Sequence, residues 1–265
     1  MRLRSTVRWC LFFCASLCLA RDAAAQTTLP AGQFAGVSAG LADGGRIDQT
    51  ASPLRYAGHG FDIALTWGRT FAPFSIVASL QGDARRLSPL DGSGSSSENV
   101  TEGKFSVAVL RPNRGALLGA SDLSAGIGFA AGASVVDHTY ANAGKLLSEY
   151  LFATATLGPV IAWSRALGGG RLTADAAMPL LAFVDHPYSD IRGKSAPLSF
   201  RFASLSNYRE LNGGLSFSRP VSRTMGIVYA YHVGVVHFDD DQPVRSVTQR
   251  ISVGLTTKLG GRATQ

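Results

Sequence analysis

Cysteine is almost absent from this 265-residue chain, and its three cysteines, Cys10, Cys14 and Cys18, all lie close to the N-terminus. The rest of the chain offers no thiol, which excludes a disulfide framework and a cysteine-ligated zinc site. The residue patterns of a phosphate-binding loop, a zinc site and a dinucleotide-binding motif are also missing from the sequence. We therefore expect no metal and no cofactor.

Long apolar runs and blocks of basic residues are lacking as well. Beyond residue 25, no apolar stretch reaches the roughly 18 residues that a transmembrane helix needs. The formal net charge is +7, but the basic residues are spread over the chain. Because nucleic-acid binding requires basic residues gathered on one surface, we expect no nucleic-acid partner.

The N-terminus has the pattern of an export signal. Arginines occupy positions 2, 4 and 8, an apolar core runs from Trp9 to Ala20, and alanines fill positions 23–25. This order predicts a signal peptide, residues 1–25, that is cleaved before Gln26. Its apolar core is too short to serve as a membrane anchor. We expect residues 26–265 to form a single exported domain.

Large apolar residues alternate with small or polar ones through most of the exported chain. In residues 61–67, Phe61, Ile63, Leu65 and Trp67 alternate with an aspartate, an alanine and a threonine. A period of two predicts β-strands. The second face is mainly Gly, Ala, Ser and Thr with few charges, which suits a narrow lumen. The large apolar face is therefore expected to point outward, towards lipid.

Ten segments follow this pattern, and most exceed the 9–11 residues that a tilted strand needs to cross a bilayer. The connections alternate between long and short, as expected for extracellular loops and periplasmic turns. The sequence predicts an all-β fold, a closed antiparallel up-and-down transmembrane β-barrel of about 10 strands with both ends in the periplasm. If residues 42–54 and 186–204 are assigned differently between strand and loop, the barrel has about 8 or 12 strands. The ten segments are 33–42, 54–69, 72–86, 103–112, 121–136, 148–165, 170–184, 200–218, 223–237 and 244–259.

Aromatic residues fall near the predicted strand ends, as in the aromatic girdles of membrane barrels. Trp67, Trp163 and Phe217 lie near inner ends, whereas Phe105 and Tyr150 lie near outer ends. Aromatics in the core of a soluble barrel would not collect at strand ends, so this placement favours a membrane barrel.

These features together resemble bacterial outer-membrane β-barrels as a class, over nearly all of the exported chain. The last strand partly matches their assembly signal, with Ser252, Gly254 and Leu259 at matching positions, although Thr257 stands where an apolar residue is usual. The resemblance implies a monomer in the cell outer membrane, with the barrel assembly machinery, outer-membrane lipids and lipopolysaccharide as partners. Lipid phosphates are expected to meet the basic residues near outer strand ends, Arg85, Arg86, Arg192, Lys194 and Arg201.

The tripeptide Val-Asp-His occurs twice, each time at the outer end of a predicted strand. Its residues Asp137, His138, Asp185 and His186 are weak candidates for a catalytic site at the extracellular rim, as in an outer-membrane protease or lipid-modifying hydrolase. Adjacent strand residues face opposite sides, however, so an Asp-His pair on one strand cannot turn both side chains into the lumen. We expect the motifs to mark strands leaving the membrane, and a hydrolase remains the alternative.

Polar residues on the inward face predict a network in the lumen. Charges held away from water need partners, and barrels of this size are commonly filled by side chains. We therefore expect a structural or surface-exposed protein, with a narrow, porin-like pore as a variant. A soluble periplasmic lipid-binding barrel is a further alternative. The predicted lumen residues are Asp62, Asp175, Glu210, Asn212, His232, Arg250 and Lys258.

Overall fold

The computed structural model describes residues 32–48, 52–92, 96–113, 121–140, 146–185, 200–239 and 243–259. Residues 1–25 lie outside these ranges, so the signal peptide stays a prediction. The regular secondary structure of the described ranges is β-strand. No helix in those ranges is long and apolar enough to cross a membrane.

Twelve antiparallel strands form one sheet, in agreement with the alternating sequence pattern. Most of them are longer than a bilayer crossing requires. They are β1 (Gly32–Asp48), β2 (Ser52–Phe71), β3 (Phe74–Pro89), β4 (Ser96–Asn113), β5 (Ser121–Tyr140), β6 (Leu146–Leu167), β7 (Gly170–Ala177), β8 (Leu181–Asp185), β9 (Arg201–Ser204), β10 (Tyr208–Pro220), β11 (Met225–Phe238) and β12 (Val244–Leu259).

The sheet closes into a barrel because its first and last strands are neighbours. β1 pairs with β12 from Gln33 opposite Leu259 to Asp48 opposite Val244. β7 and β8 follow each other along one position of the wall and both pair with β6. β9 and β10 share the next position, opposite β8 and β7 respectively. The twelve strands therefore fill ten positions, and the predicted closed ten-strand antiparallel barrel is confirmed.

The hydrogen-bonded ladder between these two divided positions is interrupted. Residues 178–180 lie opposite residues 205–211, and no strand pair joins these two ranges, which are both described in full. Pro179 has no N–H group and cannot extend the ladder. The N–H groups of Met178 and Leu180 bond instead to backbone carbonyls of β6. We call this interruption, residues 178–180 and 205–211, the seam.

The outer surface carries a continuous apolar belt. Phe61 is 72% exposed and Leu41 is 71% exposed, although both are large apolar residues in the middle of paired strands. A surface of this kind is compatible with lipid, not with water. The predicted outward orientation of the large apolar residues is thus confirmed. Further members of the belt are Ile63, Leu65, Leu80, Phe105, Val109, Ile127, Phe129, Leu157, Ile161, Phe183, Phe202, Leu211, Leu215, Val235, Val247, Ile251, Val253 and Leu255.

The inward face within the belt is built from small residues, partly because neighbouring strands approach closely there. A Cβ atom on Gly40 would lie 2.0 Å from the carbonyl oxygen of Ile251, and one on Gly60 would lie 1.8 Å from that of Ala84. No larger residue fits at these two positions without moving backbone. The glycines of the alternating pattern thus permit strand curvature as well as a narrow lumen.

The strands continue on the outer side beyond the predicted segments. β1 and β2 pair as far as Asp48 and Ser52, so most of residues 42–54, expected to form a loop, is strand. In the same way Leu87 pairs with Glu98 inside a predicted outer loop. In this outer extension the apolar side chains, such as buried Leu87 and Val100, point into the lumen. The inside-outside pattern of the belt is therefore inverted above it.

Candidate functional site in the lumen

A layer of charged side chains crosses the lumen in the outer half of the belt. Asp83 on β3 accepts a hydrogen bond from Nε of Arg85 at 2.7 Å and another from Nη2 of Arg250 at 2.6 Å. All three residues are buried. A carboxylate held between two guanidinium groups forms strong charge-assisted hydrogen bonds. Because the three residues come from β3 and β12, this contact ties distant parts of the chain together.

Two further carboxylates complete this layer. Arg85 also donates to Oε2 of Glu102 at 2.7 Å and to the hydroxyl of Thr248 at 2.8 Å. Nε of Arg250 lies 3.4 Å from Oδ1 of Asp62, and its Nη2 lies 3.6 Å from Oε1 of Glu102. Each guanidinium thus faces at least two carboxylates. We call Asp62, Asp83, Arg85, Glu102 and Arg250 the charge layer.

A second polar cluster centres on Glu210 of β10. Nζ of Lys104 lies 2.6 Å from its Oε1, and the amide of Asn212 donates to the same oxygen at 2.7 Å. The hydroxyl of Tyr208 donates to Oε2 at 2.7 Å. The buried carboxylate is therefore satisfied on both oxygens, as buried charges require.

A small cavity of about 60 Å³ lies between these polar groups and the outer end of the lumen. Such a volume holds a few water molecules and no larger ligand. Arg46 lines it, with Nη1 3.4 Å from the hydroxyl of Ser134 and Cζ 5.9 Å from the ring centroid of Phe152. The other charged residues that line it, Arg85, Glu102, Lys104 and Glu210, belong to the two clusters just described.

Apolar side chains fill the lumen at its outer end. They form two buried clusters on opposite sides of the barrel, and residues of both line the cavity. Buried apolar side chains offer no hydrogen bonds to a column of water. One cluster contains Tyr56, Leu87, Val100 and Val136, and the other contains Phe152, Ala182, Val184, Ala203, Tyr208, Phe238 and Val244.

The inner half of the lumen holds a further pair of titratable residues. Asp175 and His232 lie opposite Gly214 on the two flanking strands. A Cβ atom on Gly214 would lie 2.5 Å from Oδ1 of Asp175 and 2.7 Å from Nδ1 of His232. The missing side chain thus leaves a space that the carboxylate and the imidazole both approach.

The structure distributes the predicted lumen residues over these clusters. Asp62 and Arg250 belong to the charge layer, and Glu210 and Asn212 form the second cluster. Lys258 is exposed at the inner end of β12, away from all of them. Sequence reasoning missed several partners: Arg46, Asp83, Glu98, Glu102, Lys104 and Tyr208. It also assigned Arg85 to the basic outer rim, whereas that side chain is buried in the lumen.

The candidate catalytic residues do not form a site within the described residues. His138 points into the lumen, where its Nδ1 lies 3.2 Å from Oε1 of Glu98 and both side chains are 1% exposed. Asp137, next to it on the same strand, therefore points outward. Asp185 is buried at the end of β8, and His186 lies outside the described residues. The Asp-His pair at 137–138 is thus split between the two faces of the wall.

Four of the five aromatic candidates lie on the outer face. Trp67, Trp163 and Phe217 occupy the outward phase near the inner ends of their strands, and the ring of Phe217 covers Gly170. Phe105 faces outward within the belt, opposite Leu80. The side chain of Tyr150 lies outside the described part of the chain.

Comparison with known proteins identifies the fold. No family model matches the sequence, and no curated protein matches it. Among solved structures, outer membrane protease OmpT from Escherichia coli has a TM-score of 0.55 at 9% identity, covering 89% of this chain and 99% of that one. The translocator domain of the autotransporter NalP from Neisseria meningitidis gives 0.44 at 9% identity, covering 97% and 98%. Neisserial surface protein A gives 0.37 at 10% identity, covering 86% and 99%.

The barrel, its apolar belt and the similarity to OmpT define the class of protein. The chain has the fold of a bacterial outer-membrane β-barrel. At 9% identity the similarity concerns the fold alone, and no activity of OmpT is transferred by it.

Proposed function

We propose that this protein is an integral β-barrel of the bacterial outer membrane with a sealed lumen and a structural or surface-exposed role. The observation that carries the proposal is the combination of an apolar exterior with a charge layer inside. Outward side chains such as Phe61 and Leu41 require lipid around the barrel. Export by a cleaved signal peptide and insertion by the barrel assembly machinery are part of this proposal.

The lumen supports a plug better than a pore. Arg250 on β12 faces carboxylates on β2, β3 and β4, so the charge layer joins side chains from strands that extend from β12 through β1 to β4. Above this layer, the two apolar clusters occupy the outer end. Water enclosed between the two levels fits the cavity of about 60 Å³. A continuous aqueous path would have to pass both the charge layer and the two apolar clusters.

The hydrolase alternative finds no support in the geometry of the candidate residues. His138 is enclosed with Glu98 at 1% exposure, where no substrate reaches it. Asp137 faces away from it. A soluble lipid carrier is opposed by the outward apolar belt, because a carrier directs that face towards its ligand.

The test uses the full-length exported protein folded in detergent. The proposal predicts recovery in the outer-membrane fraction and a faster gel band before boiling that is lost on heating. In planar bilayers we expect no stepwise conductance from the wild-type barrel. A soluble, heat-insensitive product would contradict the membrane assignment, whereas a heat-modifiable barrel with steady conductance would contradict only the sealed lumen.

A further inference from the structure

Three basic residues lie side by side on the outer face of the wall. Arg209 on β10 pairs with His237 on β11, and His237 pairs with Arg245 on β12. Arg209 follows Tyr208 and precedes Glu210, both of which point into the lumen, so its side chain points outward. Arg209 and Arg245 are exposed, and His237 is half-buried. We call these residues the basic row.

When His237 is protonated, a row of this composition is unfavourable without an anion. Like charges directly opposite each other on neighbouring strands destabilise a sheet. The row Asp43, His59 and Arg86, on β1, β2 and β3, shows the usual solution, because it places an acid beside the two bases. The basic row has no acid among its own members.

Among the described residues, Asp239 at the end of β11 places a carboxylate against the basic row. Oδ1 of Asp239 is 2.7 Å from Nε2 of His237. This hydrogen bond, together with the charges of Arg245 and Arg209, lowers the pKa of Asp239. Arg209 uses its Nε to donate to the carbonyl of Leu205 at 3.1 Å. Asp239 contacts one of the three basic groups, and Arg209 and Arg245 are exposed at the outer surface.

The basic row lies at the outer edge of the apolar belt. The next outward residues on the same three strands are Leu211, Val235 and Val247, which are all exposed and directly opposite one another. Cations therefore stand immediately above an apolar surface. A lipid that carries a phosphate next to its acyl chains matches this order, since guanidinium groups bind phosphate strongly and apolar side chains contact the chains.

We propose that the basic row binds the phosphate of an outer-leaflet glycolipid whose acyl chains lie along Leu211, Val235 and Val247. This inference rests on the proposed membrane location and names a specific lipid site on the barrel wall. Arg209 and Arg245 supply the charge-assisted hydrogen bonds, and His237 lies between them. Asp239 holds His237 in place.

The test is a titration of the folded, detergent-solubilised barrel with lipid A that carries its phosphates and with the same lipid after their removal. Native mass spectrometry measures the affinity. Wild-type protein is expected to prefer the phosphorylated lipid, and the variant Arg209→Gln/Arg245→Gln is expected to lose at least about tenfold in affinity, since two charge-assisted contacts disappear. The preference for the phosphorylated lipid should vanish with it.

The matched control removes two exposed arginines at the inner end of the barrel, Arg219 on β10 and Arg223 in the turn that follows it. Arg219→Gln/Arg223→Gln should bind lipid A within about twofold of wild type, because the same charge is removed away from the basic row. Inorganic phosphate at the same concentration as the lipid should not compete, since it offers nothing to the apolar residues below. Effective competition would indicate a free-anion site and overturn the lipid assignment.

Two failures can be told apart in this experiment. In the first, the unboiled gel band is shifted, but the affinity for lipid does not depend on the phosphates or falls equally in the control variant. The basic row is then not a phosphate site, although the protein is still a membrane barrel. In the second, the band shows no shift. The membrane-barrel assignment is then wrong, and the lipid site that depends on it is wrong as well.

Discussion

Arg209 and Arg219 lie ten residues apart on the outward face of β10, with Leu211 and Leu215 exposed between them. Ten residues of strand span about 33 Å, which becomes about 25 Å along the membrane normal at a tilt of about 40°. This is close to the height of about 25 Å expected for the apolar band of an outer-membrane barrel. His59 and Arg69 repeat the same spacing on β2. The two pairs therefore mark the boundaries of the belt.

The belt predicts a depth-dependent cost for an added charge. Leu65, 52% exposed, lies near the middle of the interval from His59 to Arg69. Leu65→Arg should lower the free energy of unfolding in lipid vesicles by about 2–4 kcal/mol, because the guanidinium would face hydrocarbon. His59→Arg, at the boundary, should change it by about 0–1 kcal/mol. Urea unfolding from vesicles measures both, and equal costs at the two depths would contradict the assigned boundaries.

The charge layer predicts a large loss of stability when its central carboxylate is neutralised. Asp83→Asn keeps the shape of the side chain but leaves the guanidinium groups of Arg85 and Arg250 with less negative charge. We expect the free energy of unfolding to fall by about 3–5 kcal/mol. The same substitution at the exposed Asp43 on β1 should cost less than about 0.5 kcal/mol. A small effect at Asp83 in urea unfolding would show that water already solvates the charge layer.

The inverted outer extension predicts that two leucines respond differently to one substitution. Leu87 is 1% exposed inside the lumen, whereas Leu41 is 71% exposed on the belt. Leu87→Ala should destabilise the barrel by about 2–5 kcal/mol, because it leaves a cavity in a packed cluster. Leu41→Ala should cost clearly less, about 1 kcal/mol, since lipid fills the space that the side chain leaves. Denaturant unfolding measures both losses of stability. A larger loss for Leu41→Ala than for Leu87→Ala would indicate that Leu87 lies in an open loop.

Asp239 provides a prediction of pH dependence at the outer surface. The hydrogen bond from His237, followed by the charges of Arg245 and Arg209, lowers the pKa of Asp239. Stabilisation from a lowered carboxyl pKa is present above the ordinary value and is lost as the pH falls through the lowered one. In a carbon NMR titration, His237→Ala should raise the pKa of Asp239 towards its ordinary range. His59→Ala should leave it unchanged, and an unaltered pKa in His237→Ala would contradict the contact.

The belt was predictable from sequence, and the outer extension was not. Inside the belt, large outward residues such as Phe61 and Ile63 contrast with small inward ones, and this contrast indicates both strands and orientation. Above the belt the outward residues become polar, as Arg86 does, and the inward ones become apolar, as Leu87 does. The strand pattern requires large apolar residues at every second position, and this pattern stops where the two faces exchange character. The sequence of the outer extension therefore predicts a loop.

The residues that were missed in the lumen fall into two groups. Leu80 is outward, and strand parity from Leu80 places Asp83 and Arg85 inward, so both could have been assigned by counting. Glu98 and Glu102 belong to a stretch that reads as an extracellular loop, and no local pattern there indicates a strand. Their roles depend on pairing with β3, which the sequence of β4 alone does not specify.

The Val-Asp-His motif at 136–138 lies in the inverted outer extension. Val136 joins an apolar cluster in the lumen, Asp137 faces outward, and His138 turns back to Glu98. An acid beside a histidine suggests chemistry in a sequence, but on a strand the alternation of faces separates the two side chains.

The seam makes the wall unequal around its circumference. Along most of the barrel, a strand is held by ladders on both sides, but residues 208–211 have a strand partner only on the β11 side, and residues 205–207 form a turn. Local opening requires less free energy where fewer backbone hydrogen bonds must break. Amide hydrogens on the seam should therefore exchange with deuterium sooner than those of β2 or β5. A closed barrel has no free edge, yet in this one we expect local opening to begin at the seam.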